Sequence, residues 1–195
     1  YGTSDIVVPP FTPIKVQGNN VDVILRHYQT NGVGLWNQIT ADGKPLLKAP
    51  MRLEAEIGGK VLSAQGQSKV LSHKATQAIT ESDWQAGALK GTTRNVWDYD
   101  GVVKSTFTLA PTSQPVQSLT LVIPLDNKMM PLMHAVTFAS KASYSGNVPP
   151  GNGIVWKSSQ MPDNRFIGNF VPYIWIGAQE RGIAIFADND AGWIS

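Results

Sequence analysis

Apolar and polar residues alternate with a period of two along most of this chain, and no stretch of ordinary helical length keeps a period near 3.6. The clearest segment is 51–57, where Met51, Leu53, Ala55 and Ile57 alternate with Arg52, Glu54 and Glu56. A strand of this kind buries one face and wets the other. Gly58-Gly59 follows, then a second short run over 60–63, so the whole segment predicts a hairpin. Val21, Val23, Leu25 and His27 alternate with Asp22, Ile24, Arg26 and Tyr28, which predicts one strand over 21–28. Further strands are expected over 35–40, 75–84, 89–99, 102–109, 116–125, 154–157, 171–177 and 182–188. Asn31-Gly32, Asp42-Gly43 and Asp100-Gly101 are turn dipeptides between them.

The remaining segments carry weaker patterns. Prolines make 3–12 an extended lead-in, and Pro124 closes the strand before it. Over 126–138, Met129, Met130, Leu132, Met133 and Val136 fit either a short helix broken by Pro131 or a methionine-rich loop. Glycine, asparagine and Pro149-Pro150 make 143–152 a surface connection, and 161–165 is another. No internal repeat or linker divides the sequence. The expectation is therefore a single all-β domain over 1–195: an antiparallel two-sheet β-sandwich of about a dozen strands with little or no helix.

Composition narrows the function more than the fold. Apolar residues make up 42% and charged residues 15% of the 195 positions, which excludes a disordered tail and a coiled coil. The formal charge is +2 and the basic residues are scattered, so no stripe exists to track phosphates and nucleic acid is not an expected partner. Without cysteine there are no disulfides and no thiolate metal sites. No apolar run approaches the roughly 20 residues that span a bilayer. Tyr1 in place of methionine points to a removed signal segment or a cut chain, and the stop two residues after Trp193 to protein that follows.

Candidate chemistry concentrates in 172–193. Two apolar strands flank a polar turn there and run into an acidic segment bearing a tryptophan. Pyranose rings present flat C–H faces that pack on indole and phenol rings, and their hydroxyls bond to carboxylates and guanidinium groups. Trp156, Tyr173, Trp175 and Trp193, with Glu180, Arg181, Asp188 and Asp190, supply those groups and form the candidate carbohydrate-binding set. Plainer roles compete with that one. Tyr173 and Trp175 share a strand face and suit a core, while Glu180-Arg181-Gly182 suits a hairpin turn with Gly182 at positive φ.

Catalytic and metal chemistry find less support. Asp188-Asn189-Asp190 has oxygen ligands at alternate positions but lacks the glycine and distal glutamate of a calcium loop, so a self-capped loop is the better reading. Asp98 with Asp100, or Asp188 with Asp190, has the spacing for a glycosidase carboxylate pair. Asp100-Gly101, however, is a good turn. His27, His73 and His134 lack metal-ligand spacing. No phosphate loop and no G-x-S-x-G elbow is present. No catalytic residue, metal or cofactor is expected.

Several stretches together resemble a known family. They are Gly34 to Ile39, Leu46 to Leu53, Trp97 to Gly101, Leu119 to Leu125 with Leu132-Met133-His134, and Pro172 to Trp193. In this order they resemble the N-terminal β-sandwich region of large bacterial glycoside hydrolases similar to the β-N-acetylgalactosaminidase family. The resemblance implies that the sandwich precedes a barrel holding the catalytic carboxylates, and it carries no catalytic residue onto this chain. It implies a non-catalytic accessory domain, a glycan or oligosaccharide as partner, a C-terminal catalytic domain in the same polypeptide, and a secreted or periplasmic protein. The alternatives are a purely structural docking module without ligand and a self-contained glycosidase using its own carboxylates.

Overall fold

A computed structural model describes residues 5–126, 128–136, 143–157, 171–187 and 189. Among them there are sixteen strands, every pairing is antiparallel, and there is no helix. The chain divides into two compact units, Tyr1–Leu125 and Asp126–Ser195.

The first unit is an antiparallel β-sandwich. One layer contains a five-stranded meander of β1 (Lys15–Gln17), β2 (Asn20–Val23), β3 (Arg26–Thr30), β4 (Trp36–Ala41) and β5 (Lys44–Pro45). Beside it, β6 (Arg52–Ile57) lies between β7 (Lys60–Ser63) and β12 (Val116–Val122). The facing layer runs β11 (Val103–Leu109), β10 (Leu89–Asp98), β9 (Gln77–Ala86) and β8 (Gln65–His73). Period-2 patterning decides which side chains fill the space between. Leu53, Ala55 and Ile57 of β6 are buried, as are Ala78, Thr80, Ser82, Trp84 and Ala86 of β9. Trp97, 1% exposed, meets Tyr28 and Trp36 of the opposite layer at ring-centroid distances of 5.3 and 6.2 Å. Asn95 Nδ2 donates to the Gly34 carbonyl at 2.7 Å, a second tie across the layers.

Turn chemistry fixes the register. Asp42-Gly43 has φ of 47° and 72°, and Gly58-Gly59 has 58° and 73°. Both central residues are thus left-handed, as a two-residue hairpin matching strand twist requires. The lead-in before β1 is tied down as expected for an extended segment: Asp5 accepts from Thr76 Oγ1 and from Lys74 Nζ, and these bonds hold its carboxyl below the usual aspartate range.

This unit departs from expectation at β2 and β3 and at three strands not anticipated, β1, β5 and β8. The strand expected over 21–28 is two strands, β2 and β3, with Ile24-Leu25 as the turn and Leu25 at φ 58°. The buried residues change parity there, from Val21 and Val23 to Tyr28 and Thr30, because the chain reverses. β8 was not expected at all. It is exposed along most of its length, so it carries no apolar alternation to read.

The second unit holds one four-stranded sheet in the order β14 (Ser143–Asn147), β13 (Leu132–Val136), β15 (Tyr173–Ala178), β16 (Arg181–Phe186). The helix or loop expected over 126–138 is therefore replaced by a central strand over 132–136; 137 and 138 lie outside the described residues. Met133 and Ala135 alternate inward there and are 4% and 0% exposed. The surface connection expected over 143–152 begins with a strand, β14, whose small polar residues need no buried face. The strand expected over 154–157 does not form: those residues have no regular structure, and Ile154 is 73% exposed. The loop expected over 161–165 lies outside the described residues.

Candidate functional site

Register on the second unit's sheet sorts its side chains into two faces. On one face, Met133, Ala135, Ile174, Ile176 and Ile183 share a side by pairing, and Met133, Ala135 and Val171 form a small core against which Tyr144, Val148 and Trp156 pack. The other face carries three cross-strand rows. They are Asn147–Leu132–Gly177–Gly182, Ser145–His134–Trp175–Ala184 and Ser143–Val136–Tyr173–Phe186. This face combines rings with small and polar residues. Tyr173 and Trp175 are half-buried, and Phe186 is 59% exposed.

Trp175 owes its placement to the row beside it. Its indole passes so close over Gly177 and Gly182 that a Cβ on either glycine would overlap the ring, at Cζ2 for Gly177 and at Nε1 for Gly182. A ring resting on glycine backbone lies low against the sheet and presents its other side. Gly182 was expected to take positive φ in the hairpin turn. Instead it lies in β16, outside the positive-φ set, and the turn falls on Gln179-Glu180. The glycine clears space for the indole; it does not bend the chain. Beside Trp175, His134 stacks edge-on against Tyr173 with centroids 6.0 Å apart, and its Nδ1 lies 2.7 Å from Ser145 Oγ. The Ser145 bond holds the imidazole at the border of the aromatic pair.

The first unit repeats this device with a different outcome. Trp84 lies against Gly91, where a Cβ would likewise overlap the indole, but Trp84 faces the sandwich interior and its Nε1 donates to Thr93 Oγ1 at 2.9 Å. It is 4% exposed. A broad depression of about 890 Å³ on the outer side of β8–β11 is bordered by Gln65, Gln67, Asp83, Gln85, Lys90 and Thr92. Trp84, Leu109, Ala110 and Pro111 also line it, so its wall is mixed, but Trp84 itself is buried.

At the tip of the β15–β16 hairpin, Pro131, Leu132, Ala178, Gln179, Glu180 and Arg181 line a hollow of about 390 Å³. Glu180 is exposed on the turn. Arg181 is half-buried; its Nε is shielded from solvent and has no hydrogen-bond partner among the described residues.

The structure thus brings Tyr173 and Trp175 together on one sheet face, while Glu180 lies on the hairpin turn and Arg181, paired with Ala178, belongs to the opposite face. Trp156 is placed elsewhere, against the core on the opposite side of that sheet. Asp188, Asp190 and Trp193 lie outside the described residues, so the self-capped loop expected over Asp188-Asn189-Asp190 is described only at Asn189. Ser145, Phe186 and Gly177 were not singled out from the sequence, His134 only as a histidine without metal-ligand spacing and Gly182 only as a turn glycine, because only strand pairing reveals that they surround Trp175. Elsewhere, Asp98 accepts from Gln77 Nε2 at 3.1 Å and Asp100 caps its own turn through Val102 N at 2.9 Å. Both carboxylates serve local structure. His27 pairs with Asp22 at 2.5 Å, and His73 Nε2 lies 2.9 Å from the Ile14 carbonyl. Among the described residues no group of three histidine, aspartate or glutamate side chains could hold a metal ion, and no helix is long and apolar enough to cross a membrane.

A family model described as glycoside hydrolase 123, third domain, matches residues 14–190. No curated protein and no solved structure matches the chain. The match spans both compact units. It numbers the domain third, whereas the resemblance seen in the sequence implied an N-terminal position.

Proposed function

The chain belongs to the glycoside hydrolase 123 third-domain family, and we propose that it is a non-catalytic β domain that supports carbohydrate binding beside a catalytic domain of the same polypeptide. The observation that carries this reading is the Trp175 indole, laid over Gly177 and Gly182 on a half-open sheet face next to Tyr173. An indole held low against backbone offers a flat apolar plate, and the C–H face of a pyranose covers such a plate without losing its hydroxyls to an apolar wall. Ser145 and His134 stand at the border of the plate as hydrogen-bonding groups. Exposed Phe186, 59% accessible at the far end of β16, suits the packing of a neighbouring domain.

A non-catalytic role is supported by Asp98 and Asp100, each of which accepts a local hydrogen bond, Asp100 within its own turn. A polymeric glycan partner also suits a secreted or periplasmic protein.

Calorimetric titration with methyl glycosides of galactose and N-acetylgalactosamine tests the proposal. Dissociation constants on the order of millimolar are expected for single sugars on one aromatic plate. Trp175→Ala is expected to weaken them by about tenfold or more. Heat of binding absent for every sugar at high concentration contradicts the proposal, as does measurable glycosidase turnover by this chain alone.

A further inference from the structure

The sheet face that bears Trp175 carries a second aromatic cluster, which a sugar on the indole alone does not reach. Tyr173 and Trp175 share that face because they are two apart on β15, yet their rings lean to opposite sides of the strand. The Trp175 indole lies over Gly177 and reaches across to Gly182 of β16. The Tyr173 ring meets His134 instead, which belongs to β13 on the other flank of β15. Two residues of about 3.3 Å each separate their strand positions, and the opposite leans part the rings further. A single pyranose therefore covers one ring and not both.

The Tyr173 cluster differs in chemistry from the indole. His134 is half-buried, and its Nδ1 lies 2.7 Å from Ser145 Oγ of β14. Both ring nitrogens of an imidazole take part in hydrogen bonds, and Nε2 meets no partner among the described residues. Ser145 on one side and Tyr173 on the other hold the ring in place. A group already fixed loses little freedom when a ligand bonds to it. Aromatic stacking tolerates many arrangements of hydroxyls, whereas a few fixed polar groups orient a ligand and select it. The face thus offers an apolar station at Trp175 and a hydrogen-bonding one at Tyr173 and His134.

Resting on the carbohydrate-binding reading above, we infer that the ligand is an oligosaccharide of at least two residues lying obliquely across β15. One ring stacks on Trp175, and the next packs on Tyr173 with a hydroxyl bonded to His134 Nε2. Trp175 sets affinity for sugars as a class, and His134, held by Ser145, reads the second residue.

Titration of the intact chain with galactobiose, cellobiose and chitobiose, each against the methyl glycoside of its own sugar, tests this. At least one disaccharide is expected to bind about tenfold tighter than its methyl glycoside, since a second stacked ring and a second hydrogen bond both contribute. His134→Ala is expected to remove most of that gain while leaving the methyl glycoside within about twofold. Ser145→Ala, at an exposed position of β14, is expected to reduce the gain by releasing the imidazole. Trp175→Ala is expected to weaken both ligands. Saturation-transfer NMR on the wild-type chain is expected to show both rings of the bound disaccharide in contact, a readout that needs no variant. Equal affinity for every disaccharide and its methyl glycoside overturns the two-residue site and leaves the broader sugar-binding reading standing. A gain that survives both His134→Ala and Ser145→Ala, or transfer confined to one ring, overturns it too. Failure of all sugars to bind removes the broader reading, and this one with it.

Discussion

Trp175 and Gly182 show how one missing methyl group prepares a surface. In β16 a glycine weakens the strand by conformational entropy and by the absence of side-chain packing. Here that disadvantage is offset because the Trp175 indole occupies the space a side chain would fill. Gly182→Ala is expected to force the ring or the strand aside and to destabilise the second unit by about 1–3 kcal/mol, as overpacking does. Denaturant unfolding measures the loss, and an unchanged midpoint contradicts the packing account. The shared face of Tyr173 and Trp175 was legible in the sequence, since residues two apart on a strand point the same way. Gly182 was misread as a turn residue. Glycine after a polar pair is the ordinary signature of a turn, and only the pairing of Gly182 with Gly177 reveals its other use.

At the scale of elements, turn dipeptides and clean alternation were read correctly, and turns without them were not. Gly58-Gly59 and Asp42-Gly43 mark their hairpins because left-handed φ belongs to glycine and aspartate more than to most residues. Leu25 breaks that rule. Its φ of 58° is strained for a branched-chain residue, and it is 72% exposed, so its side chain contributes little burial in exchange. Leu25→Gly is expected to raise stability by about 0.5–1 kcal/mol, read as a higher midpoint in thermal or denaturant unfolding. A lower midpoint contradicts the strain argument. Three consecutive apolar residues, Val23, Ile24 and Leu25, interrupt the alternation there and were the visible signal of this turn. β8 offered no such signal. Its nine residues lie along the edge of its sheet, wet on both sides, and backbone pairing with β9 places them. β13 was hidden differently: its methionines suit helix and strand alike, and its burial between β14 and β15 decides the matter.

Across the molecule, the all-β antiparallel architecture followed from a single physical cause, the period-2 alternation that buries one side of each strand. The family followed from segments spread along the chain, and the match over 14–190 bears it out. Division into two compact units was not legible, because no linker or change of composition marks the boundary after Leu125. The candidate site was half legible. Residue types suited to sugars were present at 172–181, but the plate exists only once β13, β15 and β16 are in register.

The account stands most directly on whether a sugar lies against Trp175. Saturation-transfer NMR on the intact chain with a methyl galactoside reports which ligand protons touch the protein. Strong transfer is expected to the ring C–H protons of one sugar face, and Trp175→Ala is expected to remove most of it while the fold persists. Transfer that survives the substitution undiminished, or no transfer to any sugar, contradicts the account.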